Sequence, residues 1–346
     1  MSERTDPRQS PAVGTPPADS PAAGPPAVCP APPVLSLAGR TALVTGGGTG
    51  IGKAIAAALA AAGARVTICG PDAGVLDAAC AELAAAGLPG VRAVDADVTD
   101  ESRIAAAAEA AAAEDGHLDI AVANAGTAMP GSLLHLTTEH WMVPLGVNVL
   151  GTAHTVKHAA RLMRTRGGAI VTVSSISAAR PAAFMNGYSV SKAAVDELTR
   201  CAAAELGRFG IRVNGVRPGW MATESAAAAT TPENLAIMRA GTPLAAGADS
   251  PLGDPADVGR AVVFLASDQA SWITGQLLGV CGGSSLPPPS GDFAHAARFL
   301  FADEMDRDFG PADGGASPDA SSDAATGAPT TGAASGVGAD SVSRGQ

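Results

Sequence analysis

Aromatic side chains are scarce: the 346 residues include one tyrosine, three tryptophans and seven phenylalanines. Any tyrosine chemistry must therefore run through Tyr188, the only one in the chain. Cysteine is sparse too. The five at positions 29, 69, 80, 201 and 281 are odd in number and form no Cys-x-x-Cys pair, which argues against a disulfide framework or a zinc cluster. A reducing, cytoplasmic compartment is expected. No uninterrupted run of roughly eighteen strongly apolar residues occurs, and no apolar stretch follows a basic start at the N-terminus, so neither membrane spanning nor secretion is expected. Positive charge is thin, with 22 Lys and Arg against 33 Asp and Glu, a net charge of -11 and no dense basic run. That leaves no footprint for a phosphate backbone, and nucleic acid is not an expected partner. The histidines, among them His117, His140 and His154, show no ligand spacing, so no catalytic metal is expected.

Composition also sets boundaries. The first 34 residues hold ten prolines and no aromatic residue, and the chain after about Gly310 is built mostly from Gly, Ala, Ser, Thr, Asp and Pro, again with no aromatic residue. Such segments bury too little apolar area to offset the entropy of ordering them. Disorder is expected over 1–34 and 310–346, one folded domain over 35–288, and a short extension over 289–309.

Within that domain, Thr41-Ala-Leu-Val-Thr45 reads as a buried strand followed by glycines, and Ile51, Ile55, Leu59 and Ala62 then recur at helical spacing up to Gly63. Further strands are expected at 65–69, 91–95, 120–123, 169–174, 213–216 and 277–280, with helices between them. This alternation implies an α/β fold with a doubly wound parallel sheet. Residues 220–255 break the rhythm, offering only the scattered apolar anchors Leu235, Ile237, Met238 and Leu244. So long a connection after a strand end reads as a substrate lid.

The loop Thr45-Gly-Gly-Gly-Thr49-Gly50-Ile51-Gly52 stands between the first strand and the first helix. Glycines permit a tight turn and close backbone approach, and a helix N-terminus can face a pyrophosphate. Asp97-Val98 follows the third strand, where a carboxylate can accept from an adenine amino group. Asn124-Ala125-Gly126 follows the fourth, where glycine lets the chain pass close to a ribose and nicotinamide. Together these ends describe one crevice for a dinucleotide.

Tyr188 and Lys192 are four apart on an expected helix running to about Gly207, so their side chains share a face. A phenol is a poor base at neutral pH, and a neighbouring ammonium favours the phenolate. Ser175 ends the fifth strand, placed to hydrogen-bond a carbonyl oxygen as charge grows on it. Asn148 lies in an expected helical segment, 143–164, where its amide could hold a water relaying protons from Lys192. Ser174, Ser177, Ser189 and Ser191 read as packing or capping groups.

These motifs resemble the short-chain dehydrogenase/reductase (SDR) family over roughly Leu37 to Gly283, in texture its 3-oxoacyl-carrier-protein reductases. The family's Thr-Gly-x-x-x-Gly-x-Gly loop matches Thr45, Gly46, Gly50 and Gly52, its Asn-Ala-Gly turn Asn124 to Gly126, and its Asn-Ser-Tyr-Lys tetrad Asn148, Ser175, Tyr188 and Lys192. Pro218-Gly219 and Thr223 match the segment that such enzymes place over the nicotinamide. The resemblance implies a Rossmann-type seven-stranded sheet in the order 3-2-1-4-5-6-7, a homotetramer or homodimer built through the helices carrying Asn148 and Tyr188, and pro-S hydride transfer. Two positions depart: Gly70 and Pro71 stand where an NAD-preferring Asp or an NADP-preferring Arg is common, and Cys281 replaces the usual Asp before Gly282-Gly283. Gly70 removes the repulsion that would exclude NADP, so NADP(H) is expected ahead of NAD(H).

The expected activity is reversible interconversion of a ketone and a secondary alcohol, with Phe184, Met185, Trp220 and Met238 as an apolar wall for a hydrophobic or cyclic substrate. The alternatives are an NAD-dependent epimerase or dehydratase, disfavoured by the short glycine spacing, and a nicotinamide-binding regulatory or scaffold protein.

Overall fold

Thr41-Ala-Leu-Val-Thr45 is buried along its whole length and forms the first strand, β1 (Thr41–Thr45). Unbroken burial is what a parallel strand between two helical layers requires, because alternate side chains leave for opposite, covered faces. The computed structural model describes residues 35–112, 116–245 and 248–286. The expected tails at 1–34 and 310–346 and the extension at 289–309 lie outside the described residues. With β2 (Arg65–Gly70), β3 (Arg92–Asp95), β4 (Ile120–Ala123), β5 (Gly168–Val173), β6 (Ile211–Pro218) and β7 (Leu277–Val280), β1 builds one seven-stranded parallel sheet in the order 3-2-1-4-5-6-7. The expected topology is therefore the observed one. The order reverses between β1 and β4, where their connections part to opposite faces and open a crevice at the carboxyl ends of the strands.

The helices are α1 (Gly50–Ala61), α2 (Ala73–Ala85), α3 (Glu101–Ala111), α4 (Thr138–Pro144), α5 (Gly151–Met163), α6 (Asn186–Leu206), α7 (Pro232–Ala240) and α8 (Pro255–Ala266). Val44, Val122 and Val171 leave the sheet toward α1, α2 and α8, where Ile55, Leu83 and Val262 receive them. Leu43, Ala121 and Ile170 leave toward α3, α5 and α6, against Ile104, Met163 and Ala203. Small residues replace aromatics by letting helices approach: a Cβ at Gly259 of α8 would stand 2.9 Å from the Ala54 carbonyl of α1. Among the described residues no helix is long and apolar enough to cross a membrane.

Two stretches differ from expectation. The helix expected over 143–164 is divided, since a π-helical turn, Leu145–Leu150, separates α4 from α5. Pro144 has no N–H to give the preceding turn, and the ladder widens directly after it. The segment 220–255 is less irregular than its composition suggested, for it carries α7, with Pro232 in the first turn and the Thr231 hydroxyl accepting from Asn234 N–H at 3.3 Å. Its ends are clasped: Gly253 N–H donates to Trp220 O and Ala222 N–H to Gly253 O, both at 2.9 Å.

Candidate active site

The loops after β1 and β4 are laced together at the crevice floor. The Asn124 amide donates to Thr45 O at 2.9 Å and Gly46 O at 3.1 Å, while Thr45 Oγ1 accepts from Asn124 N–H at 3.1 Å and Ala125 N–H at 3.2 Å. Side chains are sterically barred here. Gly46 has φ of +63°, and a Cβ at Gly52 would lie 2.0 Å from Gly46 O. Thr49, the residue before α1, makes no side-chain cap, so the helix opens with amides unspent on its own cap. Thr223 reaches this point, its Cγ2 3.2 Å from where a Gly50 Cβ would stand, and Ile51 follows in the first turn. These residues fit a dinucleotide pyrophosphate: a glycine-only cradle beside an uncapped helix start.

One partner of the cradle escaped sequence reasoning. The Glu224 carboxylate accepts from Gly50 N–H at 3.1 Å and lies 3.5 Å from Lys53 Nζ, which is itself 2.7 Å from Glu82. Glutamate in an alanine-rich segment carries no motif; only proximity to α1 distinguishes it.

The other expected cofactor positions fall at strand ends as read. Gly70 closes β2, Pro71 after it is exposed, and Asp72 caps α2 by accepting from Val75 N–H at 3.1 Å. Asp97 spends one oxygen on the N–H and hydroxyl of Thr99, at 2.9 and 2.8 Å. Val98 is buried against Gly151. At the end of β6, Gly219 N–H donates to Val280 O at 2.9 Å, and a Cβ on Gly219 would stand 2.9 Å from Cys281 Cβ, so Pro218-Gly219 is pinned to the turn after β7.

The four tetrad residues converge. Ser175 stands close enough to Tyr188 to oppose the rise of its phenol pKa, and its hydroxyl accepts from Ser177 N–H at 3.1 Å. One turn along α6, Lys192 donates to Val173 O at 2.8 Å, with Nζ 5.8 Å from the centre of the Tyr188 ring. The π-turn delivers Asn148, fully buried, whose Nδ2 donates to Thr127 O at 2.9 Å and Ser191 Oγ at 2.8 Å while Oδ1 accepts from Thr127 N–H at 2.8 Å. Ser191 is thus more than a cap, since it joins Asn148 to the Tyr188 turn by also donating to Tyr188 O at 2.7 Å. Asn148 Oδ1 and Lys192 Nζ both close on Gly126, where a Cβ would meet them at 3.4 and 3.2 Å.

Residues 46–285 match the family model described as enoyl-(acyl carrier protein) reductase. The chain belongs to the short-chain dehydrogenase/reductase family. It is 43% identical over 252 residues to cis-4-hydroxycyclohexanecarboxylate dehydrogenase of Sinomonas cyclohexanicum, covering 72% of this chain and 97% of that protein. A short-chain type dehydrogenase/reductase from Mycobacterium ulcerans superposes with a TM-score of 0.69 at 39% identity, covering 79% of this chain and 99% of that one. A 7α-hydroxysteroid dehydrogenase complexed with NADH and 7-oxo glycochenodeoxycholic acid superposes with a TM-score of 0.67 at 36% identity, covering 72% and 95%. This SDR is an NAD(P)-dependent oxidoreductase of CH–OH and C=O groups.

The electrostatics of the SDR site depart from one expectation. Lys192 was expected to draw the Tyr188 phenol down, yet burial pushes that phenol up, opposed in part by the Ser175 hydrogen bond. The physical reason is that Nζ is turned to the Val173 carbonyl. Burial in turn pushes the Lys192 ammonium down to about 8, opposed by the charge of Asp196. Among the described residues no group of three His, Cys, Asp or Glu could hold a metal ion.

Of the expected apolar wall, Phe184 and Trp220 are exposed at 62% and 48%, whereas Met238 is buried within α7. Phe184 takes φ of +65°, a strained conformation for a bulky side chain, and its carbonyl accepts from Gly131 N–H at 2.8 Å. The segment 220–255 is tied to the turn after β7 by Leu244 N–H donating to Gly282 O at 3.0 Å. A cavity of about 1370 Å³ lies apart from the tetrad, between α1, the end of α2 and α8, and touches the cofactor residues only at Gly50 and Thr223.

Proposed function

We propose that this SDR interconverts a hydrophobic or cyclic ketone and its secondary alcohol, with Tyr188 as the proton donor in reduction. The observation that carries the reading is the buried Lys192 held by Val173 O one helical turn from Tyr188, with its Nζ 5.8 Å from the phenol ring. A phenol held protonated by burial is suited to give a proton to a forming alkoxide. Ser175 gives a second hydrogen bond to that oxygen as charge develops. Lys192 brings a buried positive charge to within 5.8 Å of the phenol ring and stands beside Gly126 on the side proposed for the ribose. Asn148 Oδ1, which also faces Gly126, keeps a lone pair that suits a relay water. Nicotinamide, when bound, supplies or accepts the hydride.

The cofactor would lie along Thr45, Gly46, Thr49, Gly50, Ile51 and Gly52, with Thr223 beside the pyrophosphate, Asp97 and Val98 toward the adenine, and Asn124, Ala125, Gly126, Pro218 and Gly219 toward the nicotinamide. NADP(H) is favoured over NAD(H) because Gly70 presents no carboxylate to repel a 2′-phosphate. Pro71 adds no attraction, and Asp72 keeps the preference small. A cyclic substrate is supported by the exposed Phe184 and Trp220 and by the names of two relatives, and the motif resemblance to 3-oxoacyl-carrier-protein reductases keeps acyl ketones within the class. The segment 220–255 acts as the lid. Exposed Met142, Leu150 and Val190, on α4, the π-turn and α6, suit assembly of a homotetramer or homodimer through those helices. The net charge of -11 disfavours nucleic acid, and free Cys69, Cys80, Cys201 and Cys281 suit a reducing cytoplasm.

The test is turnover of a panel of cyclic and acyl ketones with NADPH and NADH, followed by calorimetric titration of both cofactors. Ketone-dependent oxidation of the cofactor is expected, with NADPH bound a few-fold more tightly. Binding without turnover across the panel would withdraw the reading.

A further inference from the structure

Beneath the tetrad lies an ion pair that the proposed chemistry does not use. Asp196 stands one turn beyond Lys192 on the same face of α6, its side chain 4% exposed. Arg217, the last residue of β6 before Pro218, donates through Nε at 2.9 Å and Nη2 at 2.6 Å, both to Asp196 Oδ2. Among the described residues Oδ1, which is buried, has no hydrogen-bond partner. A buried carboxylate with one oxygen unsatisfied is destabilising relative to an apolar pair of the same shape, so fold stability does not explain its presence. Its place in the sheet offers a reason. Val216 pairs with Val173, the residue whose carbonyl takes the Lys192 ammonium, so Asp196, Arg217 and Lys192 share one corner where β5 and β6 end.

We propose that Asp196, held by Arg217, is a positioning residue for the proton relay: a buried negative charge one helical turn below Lys192, at the corner where β5 and β6 end. The inference rests on the role proposed for Lys192. Burial pulls the ammonium down to about 8, and Asp196 is the charge that opposes it. Few other groups compete. On α6 there is Tyr188; β6 brings Arg217; β5 and the turn after it bring the hydroxyls of Ser174 and Ser175; the π-turn brings the neutral Asn148. From α4, packed on Gly187, His140 is engaged with Thr137, and Lys157 and Arg161 of α5, with Arg164 directly after it, line the far half of α6 with Leu206.

The chain has three lysines, Lys53, Lys157 and Lys192, so the lysine 13Cε resonances of the full-length protein can be titrated individually beside the pH profile of ketone reduction. Reductive kcat/KM is expected to fall as pH rises through about 8, as Lys192 loses its charge. Asp196→Asn should move that limb, and the Lys192 resonance, acidward by roughly half to one pH unit. Arg217→Gln, which bares the carboxylate, should move both alkaline, and Asp196→Glu should restore the wild-type limb. Opposite displacements are the signature that mere loss of packing does not produce. If Asp196→Asn fails to fold, the double variant D196N/R217Q is read instead and should still move acidward, because Asp196 is the charge that acts on Lys192. Unmoved titration in the folded variants, or acidward movement in both single variants, overturns the proposal. A wild-type protein without turnover whose Lys192 resonance still moves as stated keeps the electrostatic link and removes only the functional reading.

Discussion

On the β1 side of the crevice the walls are backbone: Gly46, Gly50 and Gly52 leave no room for a Cβ or adopt positive φ, and Asn124 closes the floor by bonding main-chain carbonyls. On the β5–β6 side the walls are side chains drawn from distant segments, as when Asn148 meets Ser191, Lys192 meets Val173 and Asp196 meets Arg217. In the proposed function the first region would recognise what every nicotinamide dinucleotide shares, a pyrophosphate and two riboses, and needs shape more than charge. The second would place protons, with buried polar groups whose energies depend on each neighbour. A variant should therefore lose binding on one side and turnover on the other.

Ser175→Ala should give the largest separation. Loss of a donor to the developing oxyanion lowers kcat by about a hundred- to a thousandfold, with cofactor affinity by calorimetry unchanged; equal losses in both would merge the two regions. Gly52→Ala should do the reverse. Its Cβ would meet Gly46 O at 2.0 Å, and displacing that backbone, at about 1–3 kcal/mol, should weaken NADPH binding roughly tenfold or more. Unaltered affinity would show that the cradle tolerates side chains and that its glycines serve the fold alone.

The same contrast explains what could be read before the fold was known. Topology and the glycine cradle were legible because each is a local pattern, a strand, a turn and a helix within a few residues. The Tyr188–Lys192 spacing was legible because four residues make a helical turn. The π-turn was not, since Pro144 permits several continuations and only Asn148 bonding to Thr127 and Ser191 selects this one. Nor was the direction of the Tyr188 pKa, which depends on burial and on where Lys192 turns. Asp196–Arg217 and Glu224–Gly50 join positions 21 and 174 residues apart, beyond any motif.

Glu224 gives the smallest effect and sharpens the comparison, because it is the one charged side chain bonded into the backbone cradle. Its carboxyl is held below the usual carboxylate range chiefly by its own backbone N–H, with help from Lys53 and Gly50 N–H, so it is anionic where a pyrophosphate would approach. Glu224→Gln should tighten NADPH binding a few-fold at low salt, corresponding to about 1 kcal/mol, and the gain should fade as salt screens the pair. Weaker binding would mean that the carboxylate supports the loop more than it opposes the ligand.

The claim on which the account turns is that Tyr188 moves the proton. Tyr188→Phe removes one oxygen from a partly exposed ring, and single-turnover reduction followed at saturating NADPH reads the consequence apart from binding. The account predicts a rate at least about a hundredfold lower, as for a lost general acid, with NADPH affinity within twofold of wild type. A rate near that of wild type, with the cofactor bound, would contradict it.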